Sequence, residues 1–204
     1  MSHALTAGHE APARIGPNAI VRVAEALDAR IGRDGTRRLF ETAALGRYLR
    51  EPPERMVDEA EVTRLHRVLR GTLGPKVAAG VSFEAGLLTG DYLLANRIPK
   101  PVQALLRVLP APLASRVLLS AIARHSWTFA GSGVFSAARK RDGVRLAIAG
   151  CPLCRGAKGD APACAFYAGT FQRLFDALVR RGACAVEVEC EALGAPACVF
   201  RVSW

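Results

Sequence analysis

With 204 residues, half of them hydrophobic, the chain holds enough apolar mass for one full-sized core, and a single domain is expected. The net charge of +10 raises the question of nucleic acid, but the positive charge is spread along the chain with no run longer than Arg139–Lys140–Arg141. Only 6% of residues are aromatic and no nucleic-acid-binding motif is present, so no nucleic-acid partner is expected, and anionic small molecules, an anionic lipid surface or an acidic protein remain.

The first residues, MSHALTAGHEAPARIGP, lack a basic segment followed by an apolar core, which predicts a cytoplasmic location. Residues 1–14 carry His3 and His9 among small and polar neighbours and are expected to be poorly ordered. Pro17 stands where a helix can begin, and Ile20, Val23, Ala24, Leu27 and Ile31 recur at three- and four-residue steps, predicting an amphipathic helix that ends near Gly32. A second, shorter helix is predicted over Thr36–Leu45, closed by Gly46. Pro52 and Pro53 interrupt the pattern. Asp58, Glu59 and Glu61 then open a helix running through Leu69, with the acids at its favourable end and His66 expected in solvent beside arginines.

Gly71–Pro75 reads as a turn, followed by a helix over residues 76–96 that carries Gly80, Gly86 and Gly90. Each interior glycine costs up to about 1 kcal/mol against alanine, so these should serve close approach by another helix or by a flat ligand. Residues 77–98 are the most apolar long segment but contain Glu84, Asp91, Asn96 and Arg97, which makes a membrane span a poor reading and leaves peripheral contact at the inner membrane. Pro99, Pro101, Pro110 and Pro112 punctuate two further helices, 102–109 and 113–124. Residues 127–136 and 144–149 read as strands joined by a polar turn, and a helix over Cys164–Arg181 precedes a final hairpin. The fold class is α+β: N-terminal helices, then a roughly four-stranded antiparallel sheet with helices packed on it.

All six cysteines fall between Cys151 and Cys198, which points to bonded sulfur or bound metal, and a cytosolic chain favours metal. Alternation from Val186 to Cys190 and the turn-forming AlaLeuGlyAlaPro predict a hairpin whose arms, about 5 Å apart, let Cys190 and Cys198 face one another. Cys164, on the entry to a helix, is a further donor. Zinc takes four such ligands, sulfur preferentially, with a carboxylate as an acceptable substitute. Cys184 stands alone at a strand start, as donor or apolar filler. Cys151 and Cys154 form a Cys-x-x-Cys pair, but Pro152 and the surrounding glycines indicate a turn instead of a redox motif at a helix start.

GCPLCRG at 150–156, ACAFYAGTFQRLFDAL at 163–178 and VEVECEALGAPACVFRV at 186–202 resemble the 4-vinyl-reductase domain, a small-molecule-binding module related in fold to subunits of the TRAPP vesicle-tethering complex. The resemblance covers roughly residues 15–204 and is most specific in the last third. It implies one domain, with a helical part over about 15–125 and a zinc-binding α+β part over about 126–204. In phenol-sensing members zinc is held by three cysteines and a glutamate, and the matching positions are Cys164, Glu187, Cys190 and Cys198; Cys151 and Cys154 are alternative donors.

Members of the family that serve bacteriochlorophyll biosynthesis imply an accessory protein that carries a magnesium porphyrin or chlorophyllide intermediate, works beside the enzymes of that pathway and forms a homodimer through its helices. The alternative is an 8-vinyl (4-vinyl) reductase of divinyl chlorophyllide. Such an enzyme needs a hydride source, and Gly131–Ser132–Gly133 is the nearest thing to a nucleotide-binding turn. It interrupts an apparent strand and no acid follows at the right distance, so carriage is favoured. For ligand contact, His125 can coordinate magnesium, Trp127 and Phe129 can stack on the macrocycle, and Arg124 can meet a propionate. The competing reading of His125 is a histidine at the negative end of a helix. Helix 76–96 and strand 127–135 would wall the slot.

Overall fold

The computed structural model describes residues 13–204, so the expectations for His3, His9 and the first twelve residues lie outside the described part. Pro17 leads directly into α1 (Asn18–Thr42), which buries Ile20, Val23, Leu27, Leu39 and Phe40. Gly32 breaks it, at φ 72 and ψ 168, where a residue with a Cβ would be strained. The first predicted helix therefore ends where expected, but the second resumes at once and stops at Thr42 instead of spanning 36–45. A short α2 (Arg47–Arg50) follows.

β1 (Arg14–Ile15) pairs antiparallel with β2 (Val57–Asp58) and ties the chain's start to the head of α3 (Glu59–Asn96). Asp58 caps α3 by accepting from the Ala60 N–H at 2.8 Å, and Glu59 and Glu61 occupy its first turn. The predicted turn at 71–75 is compressed into a kink at Gly74 (φ 74, ψ 160), with Pro75 starting the second half. α4 (Lys100–Val108) and α5 (Ala111–Arg124) each begin behind a proline.

The first predicted strand needs correction. Residues Trp127–Ala130 form a helical turn, α6, because the N–H groups of Thr128, Phe129 and Ala130 are taken by the carbonyls of His125 and Ser126. Gly131, at φ 59, then redirects the chain, and β3 runs only from Val134 to Lys140. β4 (Gly143–Ala149), α7 (Ala165–Leu178), β5 (Cys184–Glu189) and β6 (Cys198–Ser203) complete the fold. The four long strands form one antiparallel sheet in the order β3-β4-β6-β5. The α+β expectation of helices first and a four-stranded antiparallel sheet after them is what the chain adopts.

α7 is the central layer, with the sheet on one side and α3 on the other. Val144, Leu146, Ile148, Phe200 and Val202 bury against it, and Tyr167, Phe171, Phe200, Phe129 and Phe135 meet mostly edge to face. On the opposite side, a Cβ on Gly86 would overlap the Phe166 carbonyl oxygen, and one on Gly169 would overlap that of Phe83. The glycines of α3 thus serve backbone contact with α7, and the wall expected for a flat ligand at this face is occupied by protein.

Candidate metal centre

The sheet and α7 converge at one end on five cysteines. Cys151 and Cys154 lie in the turn after β4, Cys164 is the residue before α7, Cys190 follows β5 and Cys198 begins β6; all five are buried. Their Sγ atoms are 3.4 Å apart for Cys151 and Cys164, 3.3 Å for Cys154 and Cys198, 3.5 Å for Cys164 and Cys198, and 3.8 Å for Cys190 and Cys198. The hairpin does bring Cys190 and Cys198 together, although neither is the other's ladder partner: Cys198 pairs with Ile148 of β4. Cys184 sits exposed at the far end of β5 and takes no part.

Several contacts hold this arrangement. Glu191 accepts from the Gly150 N–H at 2.6 Å and the Cys151 N–H at 2.9 Å, closing the Cys-x-x-Cys turn. Thr63 donates to the Pro152 carbonyl at 2.7 Å and Arg70 to the Leu153 carbonyl at 3.0 Å, which seats that turn on α3. The backbone N–H groups of Ala163 and Glu191 point at the sulfurs of Cys190 and Cys198, at 3.4 and 3.5 Å, an arrangement that favours thiolate. Neither Glu191 nor Arg70 was marked by the sequence, since only folding brings them to the cysteines.

Glu187 accepts from the Cys164 N–H through Oε2 at 2.8 Å, while its Oε1 is buried without any hydrogen-bond partner. Burial, and then the Cys190 sulfur beside it, push its carboxyl up to about 9. Burial likewise raises the Cys164 thiol, while hydrogen bonds, led by that from Cys151, pull Cys154 down. A buried group of acids this dense cannot ionise together without a cation, and an orphaned carboxylate oxygen among thiols is the environment a thiophilic divalent ion satisfies. Two four-donor sets fit, each with ligand atoms within 4.8 Å of one another: Cys151, Cys154, Cys164 and Cys198, or Cys164, Glu187, Cys190 and Cys198. The buried cysteine cluster can therefore hold a metal ion.

The residues expected to touch a ligand gather elsewhere, at the corner after α5. Arg124 and His125 are exposed at the helix end, and His125 Nδ1 lies 2.9 Å from the Ala121 carbonyl, the helix-terminal contact of the competing reading. Trp127 is 60% exposed. Phe129 turns away from them into the aromatic cluster, where Tyr167 donates to its carbonyl at 2.7 Å. Gly131–Ser132–Gly133 is engaged with α3: Ser132 donates to Glu59 through both its N–H and its hydroxyl, and Arg155 pairs with the same carboxylate. A largely apolar cleft of about 550 Å³ opens beside the metal centre, lined by Pro75, Phe83, Ala165, Ala168, Val186 and Glu187.

His66 corrects a further expectation. Instead of meeting solvent it is 1% exposed on the inner face of α3, edge-on to Phe166, with no partner for either ring nitrogen. The neighbouring arginines suggested a wet face; the packing of α7 covers it.

Residues 144–203 match the model of the 4-vinyl-reductase domain. The Bacteriochlorophyll synthase 23 kDa chain of Cereibacter sphaeroides is 45% identical over 198 residues, covering 97% of this chain and 94% of that protein. The protein of the same name from Rhodobacter capsulatus is 38% identical over 200 residues, covering 98% and 92%. Among solved structures, the phenol-responsive sensory domain of the transcription activator PoxR with phenol superposes with a TM-score of 0.50 at 15% identity, over 74% of this chain and 77% of that one. An H-NOX family structure from work on heme distortion gives 0.55 at 12% identity, over 93% and 95%. At such identities these likenesses describe the fold alone.

Proposed function

This chain belongs to the family of the Bacteriochlorophyll synthase 23 kDa chain, and from that premise we propose that it serves bacteriochlorophyll biosynthesis by binding and carrying a magnesium porphyrin or chlorophyllide intermediate between enzymes of the pathway. The observation that carries this reading is the 45% identity over 97% of the chain. The corner after α5 offers the chemistry. With Nδ1–H donated to the Ala121 carbonyl, His125 keeps its Nε2 lone pair for magnesium; Trp127 presents an open indole face, and Arg124 can meet a carboxylate. An absorption titration of the purified protein with magnesium protoporphyrin and with divinyl chlorophyllide tests it. Shifted bands that weaken in Trp127→Ala are expected, and unchanged spectra with every tetrapyrrole would remove the reading. A shift that survives Trp127→Ala but is lost in Ala165→Trp would move the macrocycle to the apolar cleft.

The metal in this reading is one structural zinc ion per chain, held by Cys164, Glu187, Cys190 and Cys198. The partnerless Glu187 oxygen supports that set. The ion would pin the start of α7 to both arms of the hairpin, so its binding energy would appear as folding stability. The short Sγ separations of Cys151 and Cys154 from the shared pair support the all-cysteine set as second reading. Elemental analysis separates them: Cys190→Ala should lose the zinc and Cys154→Ala keep it. The reverse pattern would favour the second set, and metal-free wild-type protein purified without chelator would exclude both.

The working unit in this reading is a homodimer, joined through helices, which light scattering at micromolar concentration tests. Reduction of the 8-vinyl group is the alternative activity. The engagement of Ser132 with Glu59 speaks against Gly131–Gly133 as a nucleotide turn, because the backbone N–H a phosphate would use is already taken.

A further inference from the structure

From Tyr92 to Arg141 the chain contains eight arginines and lysines and not one aspartate or glutamate, so this quarter of the sequence carries most of the net charge of +10. The same stretch holds an uncovered apolar face. On α4, Val102, Leu105 and Val108 are 39%, 55% and 79% exposed, and on α5 Leu113 and Val117 are 48% and 46% exposed. Single exposed apolar residues are ordinary on a soluble protein, but a stripe at helical spacing on two consecutive helices marks a surface that something covers.

The outward orientation is built in. Gln103 donates to the Leu94 carbonyl at 2.5 Å and the Ile98 carbonyl at 2.7 Å, Leu106 is buried, and Arg107 reaches the Ala177 carbonyl at 3.2 Å. These contacts fix the inner face of α4 against α3 and α7, and the residues at 102, 105 and 108 must then face out. In α5 the buried set is Ala114, Ser115, Leu118, Leu119 and Ile122, which leaves Leu113 and Val117 outside beside Arg116, with Arg124 at the helix end. Two residues, Leu109 and Pro110, join the helices. No helix among the described residues is long and apolar enough to cross a bilayer, so contact through this face is interfacial.

We propose that α4 and α5 dock the protein on an anionic lipid bilayer, with the apolar stripe entering the boundary between headgroups and acyl chains and Lys100, Arg116 and Arg124 reaching the lipid phosphates. Short helices with apolar side chains on one face and cations beside them bind bilayers in this way, the long basic side chains extending to the headgroups. The absence of acid from Tyr92 to Arg141 favours this occupant over a protein surface, which would be matched by charges of both signs. The inference stands on α4 and α5 and does not depend on pigment binding.

Flotation with vesicles tests it, using phosphatidylcholine alone and phosphatidylcholine mixed with phosphatidylglycerol. Binding to the mixed vesicles is expected, weakening as salt is raised, with at least a tenfold loss in the Leu105→Glu/Val108→Glu double variant and in Lys100→Gln/Arg116→Gln. Metal content and pigment titration should be unchanged in the first double variant, because both side chains lie outside the core. Equal binding by wild type and variants, or none to anionic vesicles, would overturn the proposal. So would a change of mass in solution on Leu105→Glu/Val108→Glu, which would assign the face to contact between copies of the chain.

Discussion

His66 has no charge partner on α3 or α7: Arg70 is the charged group that acts on it, and it repels a proton. Burial first, and then that arginine, push the imidazole down to about 3 from 6.5. The unfolded chain therefore binds a proton between those values that the folded chain refuses. Stability from the neutral ring is complete above pH 6.5 and falls as pH drops towards 3, by up to about 1.4 kcal/mol per pH unit. Replacing His66 with phenylalanine removes that contribution, so chemical denaturation at pH 7, 6 and 5 should show a shallower acid dependence in His66→Phe than in wild type. Parallel profiles would mean that the ring is protonated or solvated in the folded protein.

The contact of α3 with α7 is the joint on which the molecule depends, and it is made of glycine backbone. Gly86→Ala and Gly169→Ala each place a methyl group inside a facing carbonyl oxygen, and each is expected to cost about 1–3 kcal/mol or more. Gly80, exposed on the same helix with nothing near its absent Cβ, is the control: alanine there should be neutral or add up to about 1 kcal/mol. Thermal unfolding of the three variants measures this, and equal effects would place the close approach elsewhere. The glycine spacing was legible in the sequence, but its choice between a helix and a ligand was not, because both demand the same missing side chains.

Caps and breaks are local, so Pro17, Asp58, Gly32 and Gly74 announced themselves; that a helix resumes immediately after each glycine depends on packing beyond it. The cysteines announced a shared site, and the hairpin spacing announced that Cys190 and Cys198 meet. Residues 127–130 misread as strand because aromatic and β-branched side chains favour strands, while here the turn continues α5 and its hydrogen bonds close within four residues. His66 misread for a tertiary reason: nothing near it in sequence reports that α7 covers it.

At the scale of the molecule, a buried thiol cluster locks one end of the sheet to α7, an exposed corner after α5 carries Arg124, His125 and Trp127, and the basic, acid-free helices α4 and α5 lead into that corner. A carrier needs this division: a rigid core, an accessible site and a surface that brings it to where a hydrophobic pigment resides. An enzyme would need in addition a hydride donor aligned with the 8-vinyl group. The most direct measurement is incubation of the purified, metal-replete protein with one equivalent of divinyl chlorophyllide and excess reduced nicotinamide, followed by extraction and mass analysis of the pigment. Carriage predicts a protein-bound pigment recovered with its 8-vinyl group intact; ethyl product formed over many turnovers would contradict it and restore the reductase.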